Sequence, residues 1–193
     1  MSSHHIVREK QEPALIIMSY NDFNDEYLGQ LLEWSPTVFV FENEWDLITS
    51  KGIKIDAMFA PSDNINEELQ EFTRVIPLQS YSIKGAIDHL ISESFPSVNI
   101  IGSPDLLQEI IERVHAIDIV LFYETHKYFP VKEILEKWYA KGEELSVINL
   151  VSSNQYSVEG LTTVNDNLFV TSENGMVKFK TTNPSIFVVE ELK

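Results

Sequence analysis

The chain contains no cysteine, and this absence excludes disulfides, thiolate metal ligands and cysteine nucleophiles together. Its 7 glycines are scattered, so the sequence has neither a phosphate-binding P-loop nor a dinucleotide-binding fingerprint. No apolar run approaches the roughly 18 residues needed to cross a bilayer, and residues 1–10 do not have the pattern of a secretory signal. We therefore expect a cytoplasmic protein without a membrane partner.

Basic residues are scarce as well, since 14 lysines and arginines stand against 30 acidic residues and give a net charge of −16. The arginines are Arg8, Arg74 and Arg113, and they lie far apart in the sequence. Proteins that bind nucleic acid neutralise its phosphates with a positive patch, so we expect no nucleic-acid partner. An electrostatic field of this sign suits a cationic ligand better.

Hydrophobic residues make up 44% of the 193 residues, enough for one large domain or two small domains that share a core. In the first two-thirds, apolar segments such as Thr37–Phe41 and Ile55–Phe59 alternate with helical patterns such as Ser82–Ser94. Strands that are apolar on both faces and separated by helices are typical of a mostly parallel sheet covered on two sides. We therefore predict an α/β fold, with a Rossmann-like domain over residues 1–126.

The pattern changes after about residue 125, where strand-like segments such as Met176–Lys180 are separated by turn residues. This pattern predicts a small β domain over residues 127–193. The segment Val131–Tyr139 is ambiguous, because its apolar spacing also fits a helix. Asn174 and Gly175, between two strand-like segments, favour a type I′ hairpin, and a ligand site is the alternative.

Acidic residues follow two of the predicted strands, at the edge where open α/β sheets bind ligands. Glu42, Glu44 and Asp46 come after one strand, and Asp63 comes after the next. Alternate residues of a strand share one face, so the first three residues would hold a cation together. The alternative is that they occupy the first turn of a helix, where the backbone dipole favours negative charge. Asp63 is interpreted either as a metal ligand or as the capped start of a helix.

Several phrases of the sequence together resemble the thiamine pyrophosphokinase family, in a divergent bacterial form. They extend over nearly the whole chain and include Leu28–Pro36, Gly52–Ile65, Phe95–Ile100 and Gly160–Leu168. The resemblance implies an α/β domain followed by a small β-sandwich, which favours a strand at Val131–Tyr139. It also implies a homodimer formed through the C-terminal domain, and transfer of a diphosphoryl group from ATP to thiamine with Mg²⁺. Ser172 and Asn174 would then lie on the thiamine side.

The acidic motifs of that family are largely missing here. Ala60-Pro61-Ser62-Asp63 stands where the family has Gly-Asp-Phe-Asp, Glu44 replaces a small residue and would crowd a phosphate, and Ser82 replaces an acid. A Gly-x-Arg-x-Asp-His loop is deleted after Ile101. The remaining candidates are Asp46 and Asp63 as catalytic remnants, and Glu42, Asp46 and Asp63 as metal ligands.

Because phosphoryl-transfer chemistry depends on several groups that act as a unit, these losses predict impaired transfer. We expect a binding or interaction module that takes thiamine or thiamine diphosphate and does not bind the Mg²⁺ and ATP that the resemblance implies. The alternative is an active thiamine pyrophosphokinase with a rearranged Mg²⁺ site.

Overall fold

The computed structural model describes residues 12–20, 23–62, 68–151, 155–182 and 185–193. The first part of the chain alternates strands and helices: β1 (Ala14–Ile17), α1 (Asp25–Leu32), β2 (Val38–Phe41), α2 (Trp45–Ser50), β3 (Ala57–Ala60), β4 (Arg74–Pro77), α3 (Ile83–Ser92), β5 (Ser97–Ile101), α4 (Leu107–Ile110) and β6 (Asp118–Tyr123). Short 3₁₀ turns precede α2 and flank α4, at Glu42–Glu44, Pro104–Leu106 and Ile111–Arg113. The described residues beyond form strands: β7 (His126–Pro130), β8 (Ile134–Tyr139), β9 (Glu144–Asn149), β10 (Tyr156–Glu159), β11 (Thr162–Thr163), β12 (Leu168–Val170), β13 (Gly175–Thr181) and β14 (Ile186–Glu191).

The helices begin and end where the sequence supplies capping residues. The side chain of Asn24 accepts a hydrogen bond from the Glu26 backbone N–H at the start of α1, which satisfies one free donor of the first turn. Ser82 does the same for α3 through the backbone N–H of Gly85. Gly52 follows α2 with φ +72°, a left-handed conformation that glycine adopts without strain. These boundaries confirm the predicted helix near Ser82–Ser94.

Within the described residues, the strands form an 11-stranded sheet and a 3-stranded sheet. In the large sheet β4, β3, β2, β1, β5 and β6 are parallel neighbours in that order. The strands β7, β14, β9, β12 and β11 continue the same sheet with antiparallel pairing. The small sheet has the order β10-β13-β8. A mixed α/β fold with a large, partly parallel sheet and a second small sheet is therefore present, as predicted at this level.

Three hydrophobic clusters hold these layers together. Ile87 of α3 and Ile110 of α4 belong to a cluster on one face of the parallel strands. Leu28 of α1 and Ile48 of α2 belong to a second cluster on the opposite face. A third cluster joins the small sheet to β9, β12 and β14 of the large sheet, with Phe179 fully buried within it. Burying each such side chain contributes about 1.5–3 kcal/mol relative to exposing it.

The large sheet crosses the predicted domain boundary without interruption, because β6 pairs with β7 through Tyr123 and His126. The boundary between residues 126 and 127 stays a prediction. Val131–Tyr139, the ambiguous segment, contains strand β8, which is the structure that the resemblance favoured. Within the described part of the chain, no helix has both the length and the apolar character needed to cross a membrane.

Candidate functional site

The carboxyl ends of the parallel strands meet at one edge of the large sheet. From β1 the chain proceeds through β2, β3 and β4 on one side, and then returns to the other side of β1 as β5. The order of the strands thus reverses at β1, and the loops after β1 and β5 run in opposite directions. Open α/β sheets bind ligands in the crevice between two such loops. The candidate site therefore includes the segments that follow β1, β2 and β5.

Glu44 lies at the centre of this edge and is buried, with 7% of its surface exposed. Its Oε2 accepts a hydrogen bond from the Tyr20 backbone N–H at 3.1 Å, and its Oε1 accepts one from Asn43 Nδ2 at 2.9 Å. Asn43 Nδ2 also lies 3.4 Å from the backbone oxygen of Met18. Glu44 thus joins the end of β2 to the segment after β1.

Tyr81 covers this arrangement from the segment before α3. Its hydroxyl donates to Asn43 Oδ1 at 3.1 Å, and its ring packs edge-on against Phe41, with 5.1 Å between the ring centroids. Burial raises the pKa of Tyr81, and the carboxylates of Glu42 and Glu44 raise it further. Sequence reasoning missed Tyr81, because no motif marks an aromatic residue that reaches a distant strand end.

Glu42 and Asp46 lie where the helix-start interpretation placed them. Glu42 is half-buried in the 3₁₀ turn after β2, and Asp46 is exposed in the first turn of α2. Asp63, the third predicted metal ligand, lies outside the described residues. Among the described residues, no group of three histidine or acidic side chains has the arrangement to hold a metal ion.

Two positions where the resemblance led us to expect acidic motifs have serine side chains that form local structure. The Ser82 hydroxyl caps α3, with its oxygen 3.2 Å from the Gly85 nitrogen. After β5 the chain passes through Gly102 to Ser103, whose hydroxyl accepts from the Asp105 nitrogen at 3.3 Å. Both side chains stabilise a helix start, so neither position contributes a carboxylate to the edge.

A second tyrosine near this edge, Tyr20, shares a carboxylate with a lysine, and the sequence did not indicate this arrangement. The hydroxyl of Tyr20 donates to Asp25 Oδ1, and Lys51 Nζ lies 2.7 Å from the same oxygen. Burial raises the pKa of Tyr20, and the Asp25 carboxylate raises it further. The Lys51 ammonium also lies 4.8 Å from the centre of the Tyr20 ring, within the range of a cation–π contact. This contact connects α2 to the start of α1.

The predicted hairpin at Asn174 and Gly175 is wrong. Strand β12 pairs with β9 and β11 in the large sheet, whereas β13 pairs with β8 and β10 in the small sheet, so the segment between them connects two sheets. Asn174 Oδ1 accepts from the Lys141 backbone N–H at 2.8 Å, and Ser172 is exposed. The two predicted thiamine-side residues are thus close in sequence on an exposed connection.

The most enclosed charged group in the C-terminal half is Glu190 of β14, 6% exposed. Its carboxylate accepts hydrogen bonds from Lys137 at 2.6 and 2.8 Å and from the hydroxyl of Tyr139, and Lys127 Nζ lies 2.9 Å away. Burial alone would raise the pKa of Glu190, but the hydrogen bonds from Lys137, Tyr139 and Lys127 outweigh it and lower that pKa. These four residues, the Glu190 cluster, tie β7, β8 and β14 together.

Comparison with protein-family models gives no match for this sequence, and comparison with curated proteins gives none either. Known structures do match. A thiamine pyrophosphokinase from Bacillus subtilis has a TM-score of 0.66 at 13% identity, over 94% of this chain and 100% of that one. A yeast thiamin pyrophosphokinase has a TM-score of 0.69 at 9% identity, over 96% and 88%. The enzyme from Candida albicans has a TM-score of 0.65 at 9% identity, over 93% and 89%. The resemblance expected from the sequence is confirmed in the fold: this chain has the fold of the thiamine pyrophosphokinases.

Proposed function

We propose that this chain is a thiamine pyrophosphokinase-like protein in which diphosphoryl transfer from ATP to thiamine is lost or impaired, and that it acts as a binding or interaction module. The observation that carries the proposal is how the polar side chains are used at the carboxyl ends of the parallel strands. Glu44 is buried and hydrogen-bonded within the chain, and Ser82 caps a helix where the family has an acid. Diphosphoryl transfer needs metal ions and several positioned polar groups. We further propose that the chain consists of a Rossmann-like domain and a β-sandwich domain, and that it is located in the cytoplasm.

Calorimetric titration tests the binding side of this proposal. The purified chain is titrated with thiamine, with thiamine diphosphate, and with a non-hydrolysable ATP analogue plus Mg²⁺. We expect heat from a thiamine compound and none from the nucleotide. Saturable binding of the nucleotide together with Mg²⁺ would contradict the proposal.

An activity assay tests the catalytic side. Formation of thiamine diphosphate is followed by chromatography, with an active thiamine pyrophosphokinase as the positive control. We expect a rate at least about a thousandfold below the control, since groups that act as a unit are lost together. A rate comparable to that of the control would overturn the proposal.

The second candidate function is an active enzyme with a rearranged metal site. One observation favours it: β2 and β3 are neighbours, with Phe41 opposite Phe59, so the segments after both strands leave from adjacent positions. Glu42 and Asp46 follow β2, and Asp63 comes three residues after the end of β3 at Ala60. If this function holds, Asp46→Asn and Asp63→Asn each abolish turnover and leave the circular dichroism spectrum unchanged. Unchanged turnover in both variants would exclude these assignments.

The proposal assigns Ser172 and Asn174 to the thiamine side. The Ser172 hydroxyl is exposed, and the amide oxygen of Asn174 is already bound to the Lys141 nitrogen, which leaves the amide nitrogen to donate to a ligand. We expect Ser172→Ala to weaken binding of a thiamine compound by about tenfold, the value of one hydrogen bond. An unchanged dissociation constant would remove Ser172 from the site.

Homodimerisation through the C-terminal strands is also part of the proposal. The outer face of the small sheet exposes Trp138, Met176 and Ile134, with Trp138 directly opposite Met176. The same face carries the ion pairs Lys178–Glu136 and Lys180–Glu159. An interface with two-fold symmetry joins the same patch on both chains, so the apolar groups and the charges of both signs on one copy would face the same set on the other.

Sedimentation velocity tests the dimer. We expect Trp138→Glu to be a monomer and Trp34→Glu, the matched change at another exposed tryptophan, to remain a dimer. A monomeric wild-type chain, or a dimeric Trp138→Glu variant, would contradict this interface.

A further inference from the structure

A pocket of about 380 Å³ lies on the α1 side of the large sheet, away from the carboxyl-end site. Helices α3 and α4 pack on the opposite face, whereas α1 packs on this one. The floor includes Asn99 of β5 and Phe122 of β6, and α1 with its following turn contributes Tyr27 and Trp34. The size is within the range of pockets that bind small molecules, about 300–1,000 Å³.

Asn99 is an unusual residue for the middle of a buried strand. Its neighbours Val98 and Ile100 are 1% and 0% exposed and point to the other face, whereas Asn99 is half-buried and lines the pocket. Asparagine is depleted in strands because its amide gains nothing from packing there. Among the described residues, the Asn99 side chain has no hydrogen-bond partner, so its amide offers a donor and an acceptor to a molecule in the pocket.

Trp34 gives the pocket an aromatic surface. Its side chain is 70% exposed, although tryptophan is highly buried on average. An indole ring in this position is a stacking surface for a flat ring, and such contacts contribute about 1–3 kcal/mol for a nucleobase. The hydroxyl of Tyr27 is already used, since it donates to the Leu192 backbone oxygen at 3.1 Å. Two amide side chains line the pocket, Asn99 on β5 and Gln30 on α1. Asn99 is half-buried in the floor and Gln30 is exposed, so Asn99 is the group that would orient the ligand.

We propose that this pocket binds an uncharged, flat heteroaromatic molecule whose edge carries adjacent hydrogen-bond donor and acceptor groups, as a nucleoside base does. The edge pairs with the Asn99 amide and the ring stacks on Trp34. The carboxylate of Glu12 lines the pocket, and the chain carries a net charge of −16, so a phosphorylated form is repelled. The proposal goes beyond the function proposed above, because Pro13 and Pro36 of the pocket precede β1 and β2, at the amino ends of the strands.

The test uses saturation-transfer NMR and calorimetry on the full chain, with adenosine, cytidine and adenosine 5′-monophosphate as probes. We expect at least one nucleoside to bind with a dissociation constant of about 1 mM or lower, and the monophosphate to bind more weakly than adenosine. Asn99→Leu, which keeps the volume and removes the amide, weakens binding by about tenfold.

Substitutions at two exposed aromatic residues distinguish binding in the pocket from nonspecific stacking on any exposed ring. Trp34→Ala weakens nucleoside binding, whereas Phe72→Ala, at an aromatic residue that is 84% exposed and outside the pocket, leaves it unchanged. The proposal is overturned if neither nucleoside binds below about 10 mM, if the monophosphate binds more tightly than adenosine, or if the Trp34 and Phe72 variants behave alike. Trp34 is at the surface, so its variant remains informative even if Asn99→Leu does not fold.

Discussion

Replacing Glu190 with glutamine is expected to destabilise the fold by about 2 kcal/mol. The carboxylate is 6% exposed and receives hydrogen bonds from Lys137 and Tyr139, with Lys127 also in ion-pair contact. Removing one partner of a fully buried ion pair costs about 3–5 kcal/mol, because a charge is left without compensation. Here the side chains of Lys127 and Lys137 are 30% and 41% exposed, so both can turn toward water and the cost falls below that range. Glutamine also keeps an acceptor for Tyr139.

Chemical denaturation monitored by circular dichroism measures this loss, and thermal unfolding should show a decrease in Tm of about 4–8 °C. The matched control is Glu136→Gln on β8 of the small sheet, where the ion pair with Lys178 is exposed. The control should cost no more than about 0.5 kcal/mol. If Glu190→Gln costs no more than Glu136→Gln, the reasoning about the buried cluster is refuted.

The pH dependence provides an independent check on the same residue. Since the hydrogen bonds lower the pKa of Glu190 below its ordinary 4.5, its stabilising contribution is present above that value and is lost as the pH falls through the folded-state pKa. The stability difference between the wild-type chain and Glu190→Gln should therefore shrink on acidification below pH 4.5. A difference that grows at low pH would show that the carboxylate is not stabilised by its lysines.

Substitutions at three further positions test local features by their denaturation midpoints. Gly160→Ala should destabilise by about 2 kcal/mol, because φ is +83° and a Cβ atom would lie 2.6 Å from the Met176 backbone oxygen; an unchanged midpoint would contradict this. Phe72→Gly should stabilise by about 1 kcal/mol, since Phe72 has φ +69° and is 84% exposed; a lower midpoint would show that its ring makes useful contacts. Ser82→Ala should cost about 1 kcal/mol through loss of the α3 cap, and Ser82→Asp should recover it; equal midpoints for all three chains would refute the cap.

The parallel strands and their helices could be predicted from the sequence because each segment carries its own signal. Val38–Phe41 and Ala57–Ala60 are continuous apolar runs, and α3 has both an apolar face and a capping serine. Strand β7 was missed, since His126 and Lys127 are polar and the turn before it contains no glycine. Its conformation is imposed by pairing with β6, a contact that local patterns do not encode.

The candidate site was predictable only in its location. The carboxyl ends of β2 and β3 were expected to carry the acids, and Glu42 and Asp46 are found after β2. The burial of Glu44 depends on Tyr20, which is 24 residues away in the sequence, and Tyr81 reaches Asn43 across 38 residues. The hairpin prediction failed because it too depends on contacts between distant residues. Asn174 and Gly175 carry a turn signal, but this signal does not specify which sheet each neighbouring strand joins.

The pairing of β6 with β7 has a mechanical consequence. Because Leu121, Phe122 and Tyr123 are paired with Tyr128, Lys127 and His126, the two halves of the chain cannot swing apart like domains on a flexible linker. Opening a cleft between them would mean breaking ladder hydrogen bonds. A fragment cut after residue 126 would expose an unpaired strand edge on each piece, the kind of surface that promotes aggregation.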